Sequence, residues 1–361
     1  MSKVEMVLPV VIGGYTDFFS SIYHKKNCGI IFRGPQTPIR DTWFQLPVAY
    51  HGRASSIIVS GADVVRLRGQ SAPTDSPPVQ FGPSEKLDFE LEMYSNLGKD
   101  DVCSKEHIEL ANEAARQGIV LLKKDDNALP LTKATCKTVV AIGPHAKATN
   151  VMLGNYAGVP CQMTFPIVGL EKYAKVEYQM GCSEILCRNR TFIFDAMEAL
   201  KNADATIIYV GIDLSIEAES RDRVDLDLPG YQNELIQMVS DAAKGPVVIV
   251  VLSAGGVDLS LAKNHPNVKA ILWAGYPGEK GGQAIADILF GKYNPGGRLP
   301  HTWYPNDYVS KLPMTSMPLR PVNGYPGRTY KLSDGVKNNF SLRIKKKELK
   351  GKDGGSQSNY F

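Results

Sequence analysis

Residues 246–253 read PVVIVVLS. Between the proline and the serine stand six apolar residues, five of them β-branched, with no polar position to turn toward water. A run so short, so branched and bounded by proline suits a strand, and a strand apolar on both faces must be covered on both. Three other runs share this character: TVVAIG (138–143), ATIIYVG (205–211) and VKAILWAG (268–275). Helical patterns separate them. In residues 231–244 the apolar Leu235, Ile236, Val239, Ala242 and Ala243 follow one helix face, and residues 283–290 read as another helix, ended by Gly291. Ser104 is placed to cap a helix running to about Gln117, with Glu106 in its first turn. This alternation predicts an α/β domain over residues 94–331, a mainly parallel sheet flanked by helices.

The flanks have a different grammar. Residues 1–93 carry short β-rich runs, MVLPVVI, CGIIF, SSIIVSG and LDFELEM, divided by Pro, Gly and Asp. They predict an incomplete, mostly-β segment, with residues 71–84, SAPTDSPPVQFGPS, as a loop. Residues 332–361 are polar, charged and rich in Gly and Ser, the composition of a disordered tail. No internal repeat is present. A chain of 361 residues suits two domains.

Composition excludes some partners. The net charge is only +4, much of it in RIKKKELKGK (343–352), and no basic stripe interleaves with aromatics, so nucleic acid is not expected. No apolar run reaches the ~18–20 residues that span a bilayer, so no membrane is expected either. The apolar residues 6–12 have no small-residue cleavage site after them and read as a strand rather than a signal peptide. Of the six cysteines, Cys28, Cys103, Cys136, Cys161, Cys182 and Cys187, five follow residue 100, and Cys182 and Cys187 are close enough to close a small loop. Together with the sequon NRT at Asn189 they hint at an oxidising compartment for the second part.

Two acidic groups draw notice. Glu90 and Glu92, two residues apart on a predicted strand, share a face and repel unless a cation lies between them. A hard divalent ion, Ca²⁺ or Mg²⁺, suits such oxygen ligands; an exposed strand face is the plain alternative. In SIEAESRDR (215–223), Glu217, Glu219, Asp222 and Arg223 cluster in a loop. Asp222 and Arg223 either pair to order this loop or touch a ligand. His145 in GPHA and the glycines of GYPGEKGG lack the order of a phosphate-binding loop and read as tight strand–helix turns.

Longer motifs add two resemblances. IGGYTDFFSSIYHKKNCGIIFRG, LPVAYHGRASSIIVSG and GPSEKLDFELEM together resemble fumarylacetoacetase over about residues 6–93. That resemblance implies a metal held by Asp17, Glu90 and Glu92, a catalytic His24, and substrate contacts from Arg33 and Tyr50. It implies hydrolysis of a carbon–carbon bond in a β-diketone, with His24 activating water. Phe19 stands where the family has a second substrate tyrosine, and only three of the family's four carboxylate ligands are matched.

From Tyr94 the chain resembles family 3 glycoside hydrolases, plant-type β-xylosidases and α-arabinofuranosidases above all. YSNLGKDDVCSKEHIELANEAARQGIVLLKKDDNALPL, AIGPHA, GIDLSIEAESRDRVDLDLPGYQ, GYPGEKGGQAIADILFGKYNPGGRLPHTWYP and GYPGRTY carry it over about residues 94–331. This implies a retaining hydrolase of xylan or arabinoxylan oligosaccharides that needs no cofactor. Such enzymes use two carboxylates about 5–5.5 Å apart. The nucleophile of the family lies on a preceding (β/α)8 barrel, and the acid/base lies on a loop of this domain. Glu217 and Glu219 match that loop; closeness to Asp222 and Arg223 favours Glu219. The chain thus reads as a chimera joined between Met93 and Tyr94, of parents from the cytosol and the cell wall.

Overall fold

The computed structural model describes residues 16–18, 22–45, 48–51, 57–59, 61–71, 80–84, 100–155, 157–219, 221–311 and 318–320. Two compact units emerge. One comprises Met1–Ser20 with Arg40–Val102, the other Ser21–Ile39 with Cys103–Phe361.

The described parts of the first unit include a 3-10 turn, Asp41–Phe44, and two antiparallel ribbons. β1 (Thr16–Phe18) pairs with β2 (Ala49–His51), with Asp17 opposite Tyr50. β3 (Arg68–Ser71) pairs with β4 (Gln80–Pro83). The runs MVLPVVI and LDFELEM lie outside the described residues.

Two β-rich runs and one loop are corrected: the described residues of SSIIVSG, 57–59 and 61, lie in no strand, and β4 lies within the expected loop 71–84. CGIIF is not a strand: it forms the second half of α1 (Ile22–Arg33), a helix of the second unit. Lys25 and Lys26 precede the run, and both favour helix. Gly34 then ends the helix at φ 86°, its N–H donating to the Ile30 carbonyl at 2.9 Å. A glycine just past a basic last turn is a helix-stop signal that outweighs five apolar residues.

The second unit holds the predicted α/β domain. Its elements are α2 (Lys105–Gly118), β5 (Val120–Lys124), β6 (Thr138–Ile142), α3 (Pro166–Glu171), β7 (Lys175–Gln179), α4 (Thr191–Ala199), β8 (Ala205–Gly211), α5 (Gln232–Ala242), β9 (Val247–Leu252), α6 (Ser260–Asn264), β10 (Val268–Trp273), α7 (Gly281–Leu289) and α8 (Tyr308–Lys311). The sheet order is β5-β10-β9-β8-β6-β7. All its pairs are parallel except β5 with β10. Ser104 caps α2 as expected, its hydroxyl accepting from the His107 N–H at 3.2 Å.

The opening stretch shows why the sheet needs two covers. Val247, Ile249 and Val251 enter one core with Ile193 of α4, Leu235, Ile236 and Val239 of α5, and Ala262 of α6. Val248, Val250 and Leu252 enter the other with Ala115 of α2, Leu170 of α3 and Ile285 and Leu289 of α7. All six β9 residues have no exposed surface. Each large aliphatic side chain so buried contributes roughly 1.5–3 kcal/mol. Two disulfides, Cys103–Cys161 and Cys182–Cys187, tie loops of this unit.

Candidate functional site

In open parallel sheets, ligands bind beyond the carboxyl ends of the strands, where the strand order reverses. Here β7 follows β6 on one side, and β8 to β10 extend on the other, so the reversal lies between β6 and β8. The acidic loop leaves β8 at this point.

Its start is clamped. Gly211 sits at φ 143°, and a Cβ there would lie 1.9 Å from the Leu252 carbonyl oxygen, so only glycine fits. The fully buried Gln232 brackets this residue: its Oε1 accepts from the Gly211 N–H at 2.8 Å, and its Nε2 donates to the Gly211 carbonyl at 2.9 Å. From Ile212 the chain turns outward. The Asp213 carbonyl accepts from the N–H groups of Ile216 (3.0 Å) and Glu217 (3.1 Å). Arg221 Nη1 donates back to the carbonyls of Leu214 (3.2 Å) and Ser215 (2.7 Å).

The two glutamates are placed differently. Ala218 and Arg221 close a tight hairpin, each N–H donating to the other's carbonyl at 3.1 and 3.0 Å. Glu219 stands at its tip and is exposed. Glu217, at its base, is half-buried, with Oε2 3.2 Å from Arg223 Nη2. That nitrogen also donates to the Gly256 carbonyl at 3.0 Å, which ties the hairpin to the loop after β9. Arg223 therefore pairs with Glu217 and not with Asp222. Asp222 is exposed and accepts from Asn27 Nδ2 of α1.

Aromatic residues complete this edge, and the sequence reading did not single them out. Trp273, at the end of β10, donates from Nε1 to the Ser253 carbonyl (2.9 Å) and hydroxyl (3.1 Å). His301 stands edge-on to Trp273 and stacked on the buried Trp303, both centroids 6.3 Å away. Burial pushes the His301 pKa down, partly offset by the Glu217 carboxylate, with Arg223 adding to the depression. Tyr276 is pushed up to about 12, first by burial and then by the carboxylates of Glu217 and Asp213. The motifs PHTWYP and WAGYPG contain these residues, and their density of aromatic and polar side chains was the available signal. Trp273 and Trp303 pack into the core, so the aromatic cluster braces this edge rather than offering a ring face to a ligand.

His145, on the far side of the reversal after β6, is fully buried. Burial lowers its pKa from 6.5 to about 4, offset in part by Asp213 and the Ile212 backbone. Between these values the unfolded chain takes up a proton that the folded one refuses. Stability is therefore full above about pH 6.5 and falls as pH drops, by up to about 3 kcal/mol near pH 4. Urea titrations at pH 7 and 4.5 should show this fall, and His145→Asn should flatten it. Equal slopes for both proteins would refute the assignment.

The remaining expected residues divide between the two units. Arg33 is exposed and donates to the Pro38 carbonyl. His24 lies in α1, and Asp17 and Tyr50 lie on β1 and β2. Glu90 and Glu92 lie outside the described residues. Among the described residues, no group of three or more His, Cys, Asp or Glu side chains could hold a metal ion.

Comparison with known proteins bears on the second unit. The profile of the glycosyl hydrolase family 3 C-terminal domain matches residues 119–337. A β-xylosidase/α-L-arabinofuranosidase 1 of Medicago sativa subsp. varia is 54% identical over 244 residues, which are 67% of this chain and 31% of that protein. A β-D-xylosidase 1 of Arabidopsis thaliana is 51% identical over 249 residues, 69% of this chain and 32% of its own length. A solved family 3 exo-β-xylosidase, in complex with a xylobiose aziridine probe, superposes with a TM-score of 0.62 at 40% identity, over 68% of this chain and 31% of that one. The chain thus spans about a third of the length of these relatives, and the matched profile does not reach residues 6–93. Through the domain that carries the Glu217–Glu219 hairpin, this chain belongs to glycosyl hydrolase family 3.

Proposed function

We propose that residues 94–331 act as the C-terminal domain of a retaining β-xylosidase-type hydrolase of xylan or arabinoxylan oligosaccharides, with Glu219 as acid/base. The hairpin carries this reading. A general acid that serves a sugar held on another domain must project from its own, and Glu219 stands exposed at a tip. Glu217 has its carboxylate engaged by Arg223 at 3.2 Å and anchors the hairpin instead. Asp222 is exposed at the foot of the same hairpin and is the candidate for a sugar hydroxyl; Arg223 acts through Glu217. The names of the relatives support the substrate class, and the disulfides support an extracellular or cell-wall setting. No cofactor is required. A family 3 nucleophile belongs to the barrel, so this chain alone should turn over an aryl β-xyloside far below the ~1–10³ s⁻¹ typical of enzymes. Turnover in that range by the purified chain would overturn the proposal.

A second reading concerns residues 6–93, as a fumarylacetoacetase-like segment. One observation favours it: Asp17 and Tyr50, assigned to one site by the resemblance, are register partners on β1 and β2. If Asp17, Glu90 and Glu92 form a ligand set, Ca²⁺ or Mg²⁺ binds weakly, with Kd in the millimolar range of open carboxylate sites. Isothermal calorimetry of the full chain with millimolar CaCl₂ should show heat that vanishes in Glu90→Gln/Glu92→Gln. The absence of any heat difference removes this reading.

A further inference from the structure

Residues 189–191, Asn-Arg-Thr, form an acceptor sequon whose middle residue is not proline. In the fold they begin α4. Arg190 precedes the first helical residue, Thr191, and makes no capping bond with its side chain. Asn189 compensates: its Oδ1 accepts from the Thr191 N–H at 2.9 Å. Asn189, Arg190 and Thr191 are all exposed. Arg190 is held against α5, ion-paired with Glu234 and lying over the rings of Phe194 and Tyr231 at 5.9 and 6.0 Å. The bond to Thr191 engages only the oxygen of the Asn189 amide, and Nδ2 makes no hydrogen bond among the described residues.

A second observation is independent of the sequon. Two disulfides cross-link this unit, and Cys187 of the second lies two residues before Asn189. Structural disulfides form in oxidising compartments of the secretory route, where asparagine-linked glycans are also attached.

We propose that Asn189 is an N-glycan acceptor. In the transfer, Nδ2 forms a bond to C1 of the first N-acetylglucosamine of a lipid-diphosphate-linked oligosaccharide. The bond from C1 to the diphosphate oxygen breaks, and the lipid diphosphate leaves with the electron pair. The amide nitrogen loses one proton to the transferase, and nothing is oxidised or reduced. The amide oxygen keeps its bond to Thr191, so the start of α4 survives the modification. The glycan sits on an exposed turn and displaces no buried side chain. This proposal stands apart from the xylosidase reading and does not depend on it.

The test is mass spectrometry of the full chain recovered from the cells that make it. Cleavage after Glu184 and Glu198 releases residues 185–198, which contain Asn189 but not the other sequon, NFS at 339–341. This peptide is expected to carry N-acetylhexosamine and hexose. Peptide-N-glycosidase in heavy-oxygen water should remove them and leave labelled aspartate at position 189. Thr191→Ser should retain the glycan, whereas Asn189→Gln and Thr191→Ala should abolish it on this peptide alone. Recovery of residues 185–198 only with unmodified asparagine overturns the proposal, and that measurement needs no variant to fold.

Discussion

Glu219→Gln should lower kcat on xylobiose by about 10²–10⁴-fold, the usual contribution of a general acid. The assay needs a barrel. On the proposed reading, joining this domain to the remainder of the Medicago relative, whose matched 31% is 54% identical to it, would supply one. The leaving group is the diagnostic. A sugar alkoxide departs only with a proton, whereas a nitrophenolate departs without one. The loss for Glu219→Gln should therefore be severe on xylobiose and much smaller on a nitrophenyl xyloside in the glycosylation step. Glu217→Gln should behave otherwise. It leaves Arg223, whose side chain is 11% exposed, without its anion. The expected result is a less stable domain and a similar loss on both substrates, because the hairpin is misplaced rather than the proton missing. If leaving-group dependence follows Glu217 instead, the two roles are reversed.

Asp287→Ala should destabilise the second unit by roughly 3 kcal/mol, a sizeable part of the 5–15 kcal/mol that holds a typical domain. Asp287 has no exposed surface. Its carboxylate accepts from Arg116 Nη1 at 3.1 Å, Tyr173 Oη at 2.6 Å and Gln283 Nε2. The Arg116 bond ties α2 to α7, and within α2 Arg116 also reaches Glu109 and Glu113, at 2.6 and 3.0 Å. Removing the carboxylate takes the acceptor from the half-buried Tyr173 hydroxyl and the α7 partner from the half-buried Arg116, whose charge Glu109 and Glu113 still neutralise. Asp287→Asn keeps the shape and one acceptor and should cost less. Urea unfolding followed by tryptophan fluorescence measures both. A change below about 1 kcal/mol for the alanine variant would show that the bonds from Arg116, Tyr173 and Gln283 to Asp287 contribute little, contrary to this account.

Much of this fold is legible in the residues. The β9 run PVVIVVLS specifies a strand covered on both sides because every position is apolar, and β6, β8 and β10 follow the same logic. Ser104 and Gly291 mark helix ends through local backbone chemistry, as Gly34 does for α1. CGIIF is helical although apolar, because that glycine closes a helix. The antiparallel direction of β5 has no signature in VLLKK, because strand direction depends on where the preceding α2 delivers the chain. The site divides along the same line. An acidic loop after β8, with two glutamates as candidates, can be recognised from SIEAESRDR. Which glutamate is anchored and which projects cannot. That depends on Arg223 reaching the Gly256 carbonyl and on His301 and Trp303 returning beside Trp273, between residues 28 to 33 positions apart. Periodicity, caps and glycines act within a few residues, so the sequence by itself determined the elements and the chemistry available. The division of labour between Glu217 and Glu219 rests on contacts that exist only once the sheet has assembled and brought those loops to one edge.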